Sequence, residues 1–247
     1  MKQTDRVIRL NNLSIGYNEK PTPKVVAKEI NATLKRGELT ALIGANGIGK
    51  STLLRTLTNS QPSLSGNIHL QDRELSTYSG GELSRLVSIV LTECIELKNT
   101  SVFEIIAMGR APYTGFWGTL ADDDRRKVED ALSLIKINHL RDRFVDSLSD
   151  GERQKVMIAR ALAQETPIII LDEPTAFLDY PSKIDIIQIL HRLARNLNKT
   201  VLLSTHDLDL ALQTVDTVWL MDSKNKLHIG AAADFPLKKC VELMVHK

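Results

Sequence analysis

Residues 44–52 spell GANGIGKST, and this segment constrains the fold more than any other part of the chain. It fits the pattern G-x-x-x-x-G-K-[ST] and lies between a predicted strand, TALIG, and a predicted helix, KSTLLRTLTN. The glycines allow backbone N–H groups to curl around phosphate oxygens, and the amino terminus of the helix adds a favourable dipole. The segment therefore predicts a strand–loop–helix unit that binds phosphate.

Residue types within this loop suit a nucleoside triphosphate. Lys50 can reach the β- and γ-phosphates, and the Ser51 hydroxyl is placed to bind Mg²⁺. A chance match to this pattern would have no reason to lie between a predicted strand and a predicted helix. Because this segment does, phosphate binding is favoured over coincidence. The predicted nucleotide contacts are Gly44, Asn46, Gly47, Gly49, Lys50, Ser51 and Thr52.

The remaining pattern predicts an α/β fold in one domain, residues 1–247. Strand segments such as IIILD and TVLLS alternate with helical segments, which is typical of a largely parallel sheet covered on both faces. Near the amino terminus, RVIRLNNLSIGY alternates apolar and polar residues and predicts a half-buried strand. We expect a mixed sheet core with antiparallel β-strands near the amino terminus and a helical subdomain inserted at about 94–165.

Polar side chains follow two of the predicted central strands. Asp172 and Glu173 come after IIIL, and His206 follows the strand TVLLS at the same edge of the sheet. This is the edge at which an open α/β sheet binds its ligand. Asp172 suits the Mg²⁺ site, Glu173 suits a base that polarises water, and His206 suits the γ-phosphate. Two acids after a strand also fit a solvated loop, an alternative that the phosphate loop makes minor.

Composition and charge exclude several classes of protein. The net charge of +2 gives no electrostatic case for binding nucleic acid or an acidic membrane surface. Cys94 and Cys240 lie far apart without metal-ligand spacing, which fits a reducing compartment. We find no signal peptide in MKQTDRVIRL, and no apolar run approaches the ~20 residues that span a bilayer. A cytoplasmic location is expected unless another protein tethers the chain.

Five motifs in a fixed order resemble those of the nucleotide-binding subunits of ABC transporters, over nearly the whole chain. They are GANGIGKST as Walker A, LSDGERQK as the signature, IIILDEPT as Walker B, AFLD as the D-loop and STHD as the switch histidine. The resemblance implies a P-loop NTPase (RecA-like) fold that hydrolyses ATP with Mg²⁺. Tyr17 matches the position whose aromatic ring stacks on adenine, with a core tyrosine as the alternative.

The same resemblance implies a homodimer with two ATP sites. Walker A of one chain would meet the signature of the other, so that Ser149, Gly151 and Glu152 bind the partner's nucleotide. The implied catalytic residues are Glu173, His206 and Lys50, and the implied metal ligands are Ser51, Asp172 and Glu93.

Two segments compete for the role of the signature. YSGGELSR, residues 78–85, is the cleaner copy, and LSDGERQK, residues 148–155, is the imperfect one. A γ-phosphate contact needs a helix that points its amino terminus at the ligand. The second segment opens a long amphipathic helix and closely precedes Walker B, whereas the first is followed after about two turns by the strand LVSIVLT. We therefore assign the signature to 148–155 and expect Glu82 and Arg85 to face solvent.

Two positions depart from the family pattern. Asp150 replaces the first glycine of the signature, and we expect its carboxylate to turn away from the phosphates. Glu93 replaces the usual glutamine at the end of LVSIVLT, where its oxygens could still meet Mg²⁺ although the amide donor is lost.

The segment SVFEIIAMGRAPYTGFWG resembles one found in ATPases of iron-siderophore, haem and cobalamin importers. It implies integral-membrane permease subunits as direct partners, a substrate-binding protein as an indirect one, and a position on the inner face of the cell membrane. A soluble ABC-type assembly ATPase, of the iron–sulfur cluster scaffold kind, and an ABC transporter for another substrate remain alternatives. A nucleic-acid or translation factor is disfavoured, because the chain has one cassette and near-neutral charge.

Overall fold

A computed structural model of the protein describes residues 6–20, 22–91, 98–115 and 118–245. The strands are β1 (Arg6–Tyr17), β2 (Lys24–Lys35), β3 (Leu39–Ile43), β4 (Ser65–Leu70), β5 (Arg73–Glu74), β6 (Val87–Val90), β7 (Ile168–Leu171), β8 (Thr200–Thr205), β9 (Thr217–Met221) and β10 (Leu227–Ala231). The helices are α1 (Lys50–Leu57), α2 (Gly80–Leu83), α3 (Val102–Ala107), α4 (Asp122–Ile135), α5 (Asp150–Ala163), α6 (Tyr180–Leu197), α7 (Leu208–Thr214) and α8 (Leu237–Val245).

These strands form two sheets. An antiparallel sheet has the order β2-β1-β4-β5, and a mixed sheet has the order β10-β9-β3-β8-β7-β6. In the mixed sheet β9, β3, β8, β7 and β6 run parallel, and β10 pairs with β9 in the antiparallel direction. The predicted mixed α/β core with antiparallel strands near the amino terminus is confirmed.

Both faces of the parallel sheet are covered, which explains its continuous apolar runs. Successive side chains of a strand point to opposite faces, so Ile169 and Leu171 of β7 pack with the helices after β6. Ile168 and Ile170 pack on the other side, against α1 and the antiparallel sheet. Hydrophobic side chains are therefore needed at consecutive positions rather than at alternate ones.

Helices α3, α4 and α5 lie in the chain between β6 and β7 and are held together by a buried arginine. Arg110 is 3% exposed, donates to Asp124 Oδ1 at 2.9 Å and to the Ala163 carbonyl at 2.7 Å, and pairs with Glu165 at 2.8 Å. Asp122, Asp123 and Asp124 open α4. From the sequence alone, three acids at a position that the helix dipole favours predict a solvated first turn. That prediction is wrong for Asp124, because Arg110 neutralises and buries it.

These helices span the region predicted as an inserted subdomain, at about 94–165. Residue 94 lies outside the described residues, and the division into a sheet core and a separate subdomain stays a prediction.

The segment YSGGELSR forms a single helical turn, α2, which is shorter than the predicted two turns. Ser79 caps it and accepts from the Glu82 N–H, while Glu82 accepts from the Ser79 N–H and pairs with Arg73 at 2.8 Å. The Arg73 hydrogen bond, followed by those from Ser79, lowers the pKa of Glu82 to about 2. Arg85 is exposed as expected, and its guanidinium also donates to the Pro112 carbonyl.

Candidate nucleotide site

The phosphate loop leaves the end of β3 and delivers its lysine to the first position of α1. Gly49 has φ 117, and a Cβ there would lie 2.3 Å from Val26 Cγ1, so no other residue fits without displacing the Val26 side chain. Gly47 has φ 77, also in the region that favours glycine. The glycine spacing of the motif is therefore required by backbone conformation at Gly47 and by both conformation and packing at Gly49.

Lys50 is held rigidly at the base of the loop. Its side chain is 6% exposed, and Nζ donates to the Gly44 carbonyl at 2.9 Å and to the Ala45 carbonyl at 3.3 Å. Nζ also pairs with Glu173 Oε1 at 3.1 Å. A buried ammonium group held in this way presents a preorganised positive charge to a phosphate group.

Glu173 lies between this lysine and the histidine of the neighbouring strand. Its Oε2 is 2.9 Å from His206 Nδ1, while its Oε1 contacts Lys50. The backbone of Glu173 has φ 48, a left-handed conformation that costs a non-glycine residue about 1–2 kcal/mol. The conformation places the carboxylate between Lys50 and His206, in the lining of the cavity over the phosphate loop.

Asp172, the residue directly before Glu173, is buried. It is 8% exposed, and its Oδ1 accepts a hydrogen bond of 2.6 Å from the Ser204 hydroxyl. The same hydroxyl accepts from the Glu173 N–H at 2.8 Å. Sequence reasoning missed Ser204, although a polar residue at the end of the apolar strand TVLLS was a signal.

A cavity of about 440 Å³ opens over the loop. It brings together most of the residues that the sequence predicts for the nucleotide, and adds Ala176 and Phe177 from the segment after Walker B. Its lining residues are Tyr17, Asn46, Gly47, Gly49, Lys50, Ser51, Thr52, Glu173, Ala176, Phe177 and His206.

Within the described part of the chain, five residues that the sequence predicts to bind the nucleotide or the metal do not line this cavity. Gly44 and Asp172 are bonded to residues of the site: the Gly44 carbonyl accepts from Lys50 Nζ, and the Asp172 carboxylate accepts from the Ser204 hydroxyl. Ser149, Gly151 and Glu152 lie elsewhere on the surface. Glu93, the predicted metal ligand, falls outside the described residues.

Tyr17 forms one wall of the cavity. Its side chain is 38% exposed, which argues against a core tyrosine, and its hydroxyl lies 3.2 Å from Thr52 Oγ1 at the start of α1. The ring therefore has a free surface next to the phosphate loop. Stacking on adenine stays a prediction.

The signature segment forms the amino terminus of α5. Ser149 caps the helix and accepts from the Glu152 N–H at 3.4 Å, and Glu152 accepts from the Ser149 N–H at 2.9 Å. The Ser149 N–H, followed by the Ser149 hydroxyl, which also donates to Glu152 Oε2 at 2.9 Å, lowers the pKa of the Glu152 carboxyl. A Cβ at Gly151 would lie 3.0 Å from Ser182 Oγ, so the signature is packed against the first turn of α6, next to the D-loop.

The Asp150 side chain turns toward its own helix, and the expectation that it avoids phosphate stays a prediction. Its carboxylate is 66% exposed and lies 3.4 Å from the Arg153 guanidinium. An acid in the first turn also interacts favourably with the helix dipole.

Because the Asp150 carboxylate pairs with Arg153 of its own helix, Asp150→Gly should leave the rate of ATP hydrolysis within about tenfold of wild type, the range of a single modest interaction. Steady-state phosphate release by the two proteins measures this. A rise beyond that range would show that the carboxylate faces and repels the nucleotide.

The oxygen donors at the site fit Mg²⁺. Ser51 lines the cavity and Asp172 directly precedes its lining residue Glu173, and hydroxyl and carboxylate oxygens are the ligands that this hard cation prefers. In the described residues no cluster of three or more His, Cys, Asp or Glu side chains could hold a metal ion by itself. Such a site suits an ion that is bound together with nucleotide phosphates.

Fold and site together define a P-loop ATPase: a phosphate loop between β3 and α1, with two acids and a histidine at the carboxyl ends of β7 and β8. The family model for ABC transporters matches residues 27–176. This chain belongs to the ABC transporter family, as an ATP-binding subunit that hydrolyses ATP.

Curated relatives agree with this assignment. The ferric enterobactin transport ATP-binding protein FepC of Escherichia coli K12 is 36% identical over 210 residues, covering 84% of this chain and 76% of the relative. The iron(3+)-hydroxamate import ATP-binding protein FhuC of Bacillus subtilis 168 is 35% identical over 199 residues, covering 81% and 72%. The predicted resemblance to ATPases of siderophore importers is confirmed.

A solved structure of the bacterial ABC transporter cassette MJ0796, a dimer, superimposes with a TM-score of 0.74. It is 25% identical and the match covers 86% of this chain and 93% of that chain. In the described part of the present chain, no helix is long and apolar enough to cross a membrane.

Proposed function

We propose that this chain powers a membrane importer for ferric siderophores, as a homodimer that binds and hydrolyses two ATP molecules on the cytoplasmic face of the permease. The observation that carries the proposal is the meeting of Lys50, Glu173 and His206 over one phosphate loop. The relatives FepC and FhuC, whose names specify ferric enterobactin and iron(3+)-hydroxamate, support the class of cargo.

The arrangement of the signature supports a dimer. Ser149 and Gly151 present a helix amino terminus, a favourable site for a phosphate, yet they do not line the cavity of their own chain. A second copy, related by two-fold symmetry, can bring its own signature over this cavity and receive the first chain's signature in return. The solved structure of MJ0796 supports this proposal, because that similar cassette is a dimer.

Hydrolysis follows from the charges at the cavity mouth. Lys50 binds the β- and γ-phosphate oxygens and stabilises the negative charge that develops during transfer. Glu173 polarises a water molecule for attack, and His206, bonded to Glu173, holds the γ-phosphate. Tyr17 would stack on the adenine, with loop residues Asn46 and Thr52 contributing the remaining contacts.

Ser51 and Asp172 would hold Mg²⁺ together with the phosphates, and Glu93 is proposed as a further ligand. When bound, the ion neutralises phosphate charge and aligns the oxygens for in-line attack. The first turn of α1 brings Ser51 to the phosphates. The hydrogen bond from the Ser204 hydroxyl orients the Asp172 carboxylate.

Transport is the direct test of this proposal. The chain is purified with its candidate permease subunits, reconstituted into liposomes, and supplied with ATP and a loaded substrate-binding protein. We expect uptake of a ferric siderophore and a rise in ATP hydrolysis when the loaded binding protein is added. Haem and cobalamin, each with its own binding protein, are the comparison cargoes.

The control is the same assembly carrying Glu173→Gln, which should bind ATP without sustained uptake. Uptake of haem or cobalamin in place of the siderophore would correct the cargo while leaving the importer intact. ATPase activity that no permease or cargo changes, in a protein recovered without membranes, would favour the assembly-ATPase alternative.

A further inference from the structure

Ser204 occupies a position that the parallel sheet places opposite Asp172. Leu171, the last residue of β7, pairs with Leu203 of β8, and Asp172 and Ser204 are the residues that follow these two. Ser204 is completely buried, with 0% of its surface exposed. A hydroxyl at this point can act only on its immediate neighbours, and those neighbours are the two acids of the nucleotide site.

The Ser204 hydroxyl donates one hydrogen bond and accepts another, and its partners are the two acidic residues. Its single proton is donated to Asp172 Oδ1 at 2.6 Å, which is in the short range of a bond to a charged acceptor. Its lone pair accepts the Glu173 N–H at 2.8 Å. The direction of each bond is determined, because a carboxylate cannot donate and an amide N–H cannot accept.

The bond to Glu173 restrains a strained backbone. Glu173 has φ 48, which a non-glycine residue adopts only where the surroundings hold it. This conformation directs its carboxylate to Lys50 and His206. Loss of the Ser204 bond leaves the Glu173 N–H without this acceptor and weakens the restraint.

We infer that Ser204 is a positioning residue for ATP hydrolysis, whose hydroxyl orients the carboxylate of Asp172 and holds the backbone conformation of Glu173. Ser204 is completely buried and does not line the cavity, so it would act through Asp172 and Glu173 rather than on the nucleotide or on water. This inference rests on the proposed roles of Asp172 and Glu173.

The same strand offers a matched control in Thr200, at the opposite end of β8. It is 1% exposed, and within the described part of the chain its Oγ1 has no hydrogen-bond partner. Thr200→Val removes a buried hydroxyl from β8 without removing a bond to an acid. If the loss of any buried hydroxyl from β8 changes activity, Ser204→Ala and Thr200→Val should both show the change.

The test compares Ser204→Ala, Ser204→Thr and Thr200→Val for kcat, KM, melting temperature and ATP affinity with and without Mg²⁺. For Ser204→Ala we expect kcat to fall about 10- to 100-fold, the usual effect of removing a group that orients a ligand or base. Affinity for ATP without Mg²⁺ should stay within about threefold of wild type, while the gain in affinity that Mg²⁺ provides should shrink. Ser204→Thr, which keeps the hydroxyl, should restore kcat, and Thr200→Val should keep it.

Equal kcat in Ser204→Ala and wild type would overturn the inference, as would equal losses in Ser204→Ala and Thr200→Val. A Ser204→Thr protein with a wild-type melting temperature and the low kcat of Ser204→Ala would also overturn it. Glu173→Gln, measured in parallel, separates this failure from that of the proposed function. If Glu173→Gln hydrolyses ATP at the wild-type rate, the role of Glu173 is wrong and the inference about Ser204 falls with it.

Discussion

Glu173→Gln should lower kcat for ATP hydrolysis about 10³-fold, which is within the range for loss of a positioned general base. The amide keeps the size of the side chain but cannot take up a proton from water. Glu173 Oε1 is 3.1 Å from Lys50 Nζ, and the substitution removes a negative charge that would compete with phosphate for this lysine. ATP affinity should therefore not fall, and the ATP-bound dimer should accumulate.

Phosphate release and size-exclusion chromatography with light scattering, with and without ATP, measure the two effects. Glu82→Gln is the matched control. Glu82 caps α2, the helix of the segment YSGGELSR that is not the signature, and neither Glu82 nor its partner Arg73 lines the cavity. This control should keep wild-type hydrolysis. Retention of hydrolysis by Glu173→Gln would mean that another group polarises the water.

Lys50→Ala should weaken ATP binding about 100-fold, because two charge-assisted bonds to phosphate, together about 3 kcal/mol, are lost. The substitution also leaves the Glu173 carboxylate beside the triphosphate without its cation. Hydrolysis should fall further than binding, since Lys50 also stabilises charge in the transition state. Titration with a fluorescent ATP analogue gives the affinity, and saturating ATP gives the residual rate.

Lys127→Ala provides the comparison for this variant. Lys127 also forms an ion pair, 2.6 Å from Glu165, but among helices that do not line the cavity. It should bind ATP with wild-type affinity. An affinity of Lys50→Ala within about threefold of wild type would contradict the assignment of Lys50 to the phosphates.

Most of the cavity could be predicted from the sequence, because its residues follow strands or form one continuous loop. Residues 44–52 carry their function in a local pattern, and Asp172, Glu173 and His206 could be placed at one edge because parallel strands end together. The α/β alternation of the sequence was enough to predict the relative position of these residues, without knowledge of contacts between distant parts of the chain.

Other features depended on partners that are far apart in the sequence. Ser204 meets Asp172 only because β8 lies next to β7 and in this register. Asp124 is buried only because Arg110 reaches it across the turn between helices. Neither strand order nor the path of a buried arginine is encoded in a short pattern, so the sequence predicted a solvated Asp124 and no role for Ser204.

Among the residues that the structure describes, three segments form the same capping box of a serine and a glutamate, at Ser79 and Glu82, Ser101 and Glu104, and Ser149 and Glu152. The sequence alone determined this local geometry, because each box needs only hydrogen bonds between residues three positions apart. Tertiary structure decided how far each helix continues beyond its box: α2 has 4 residues, α3 has 6 and α5 has 14. It also packed α5 beside the D-loop, where a Cβ at Gly151 would lie 3.0 Å from Ser182 Oγ, because burial and neighbours depend on contacts made across the whole chain.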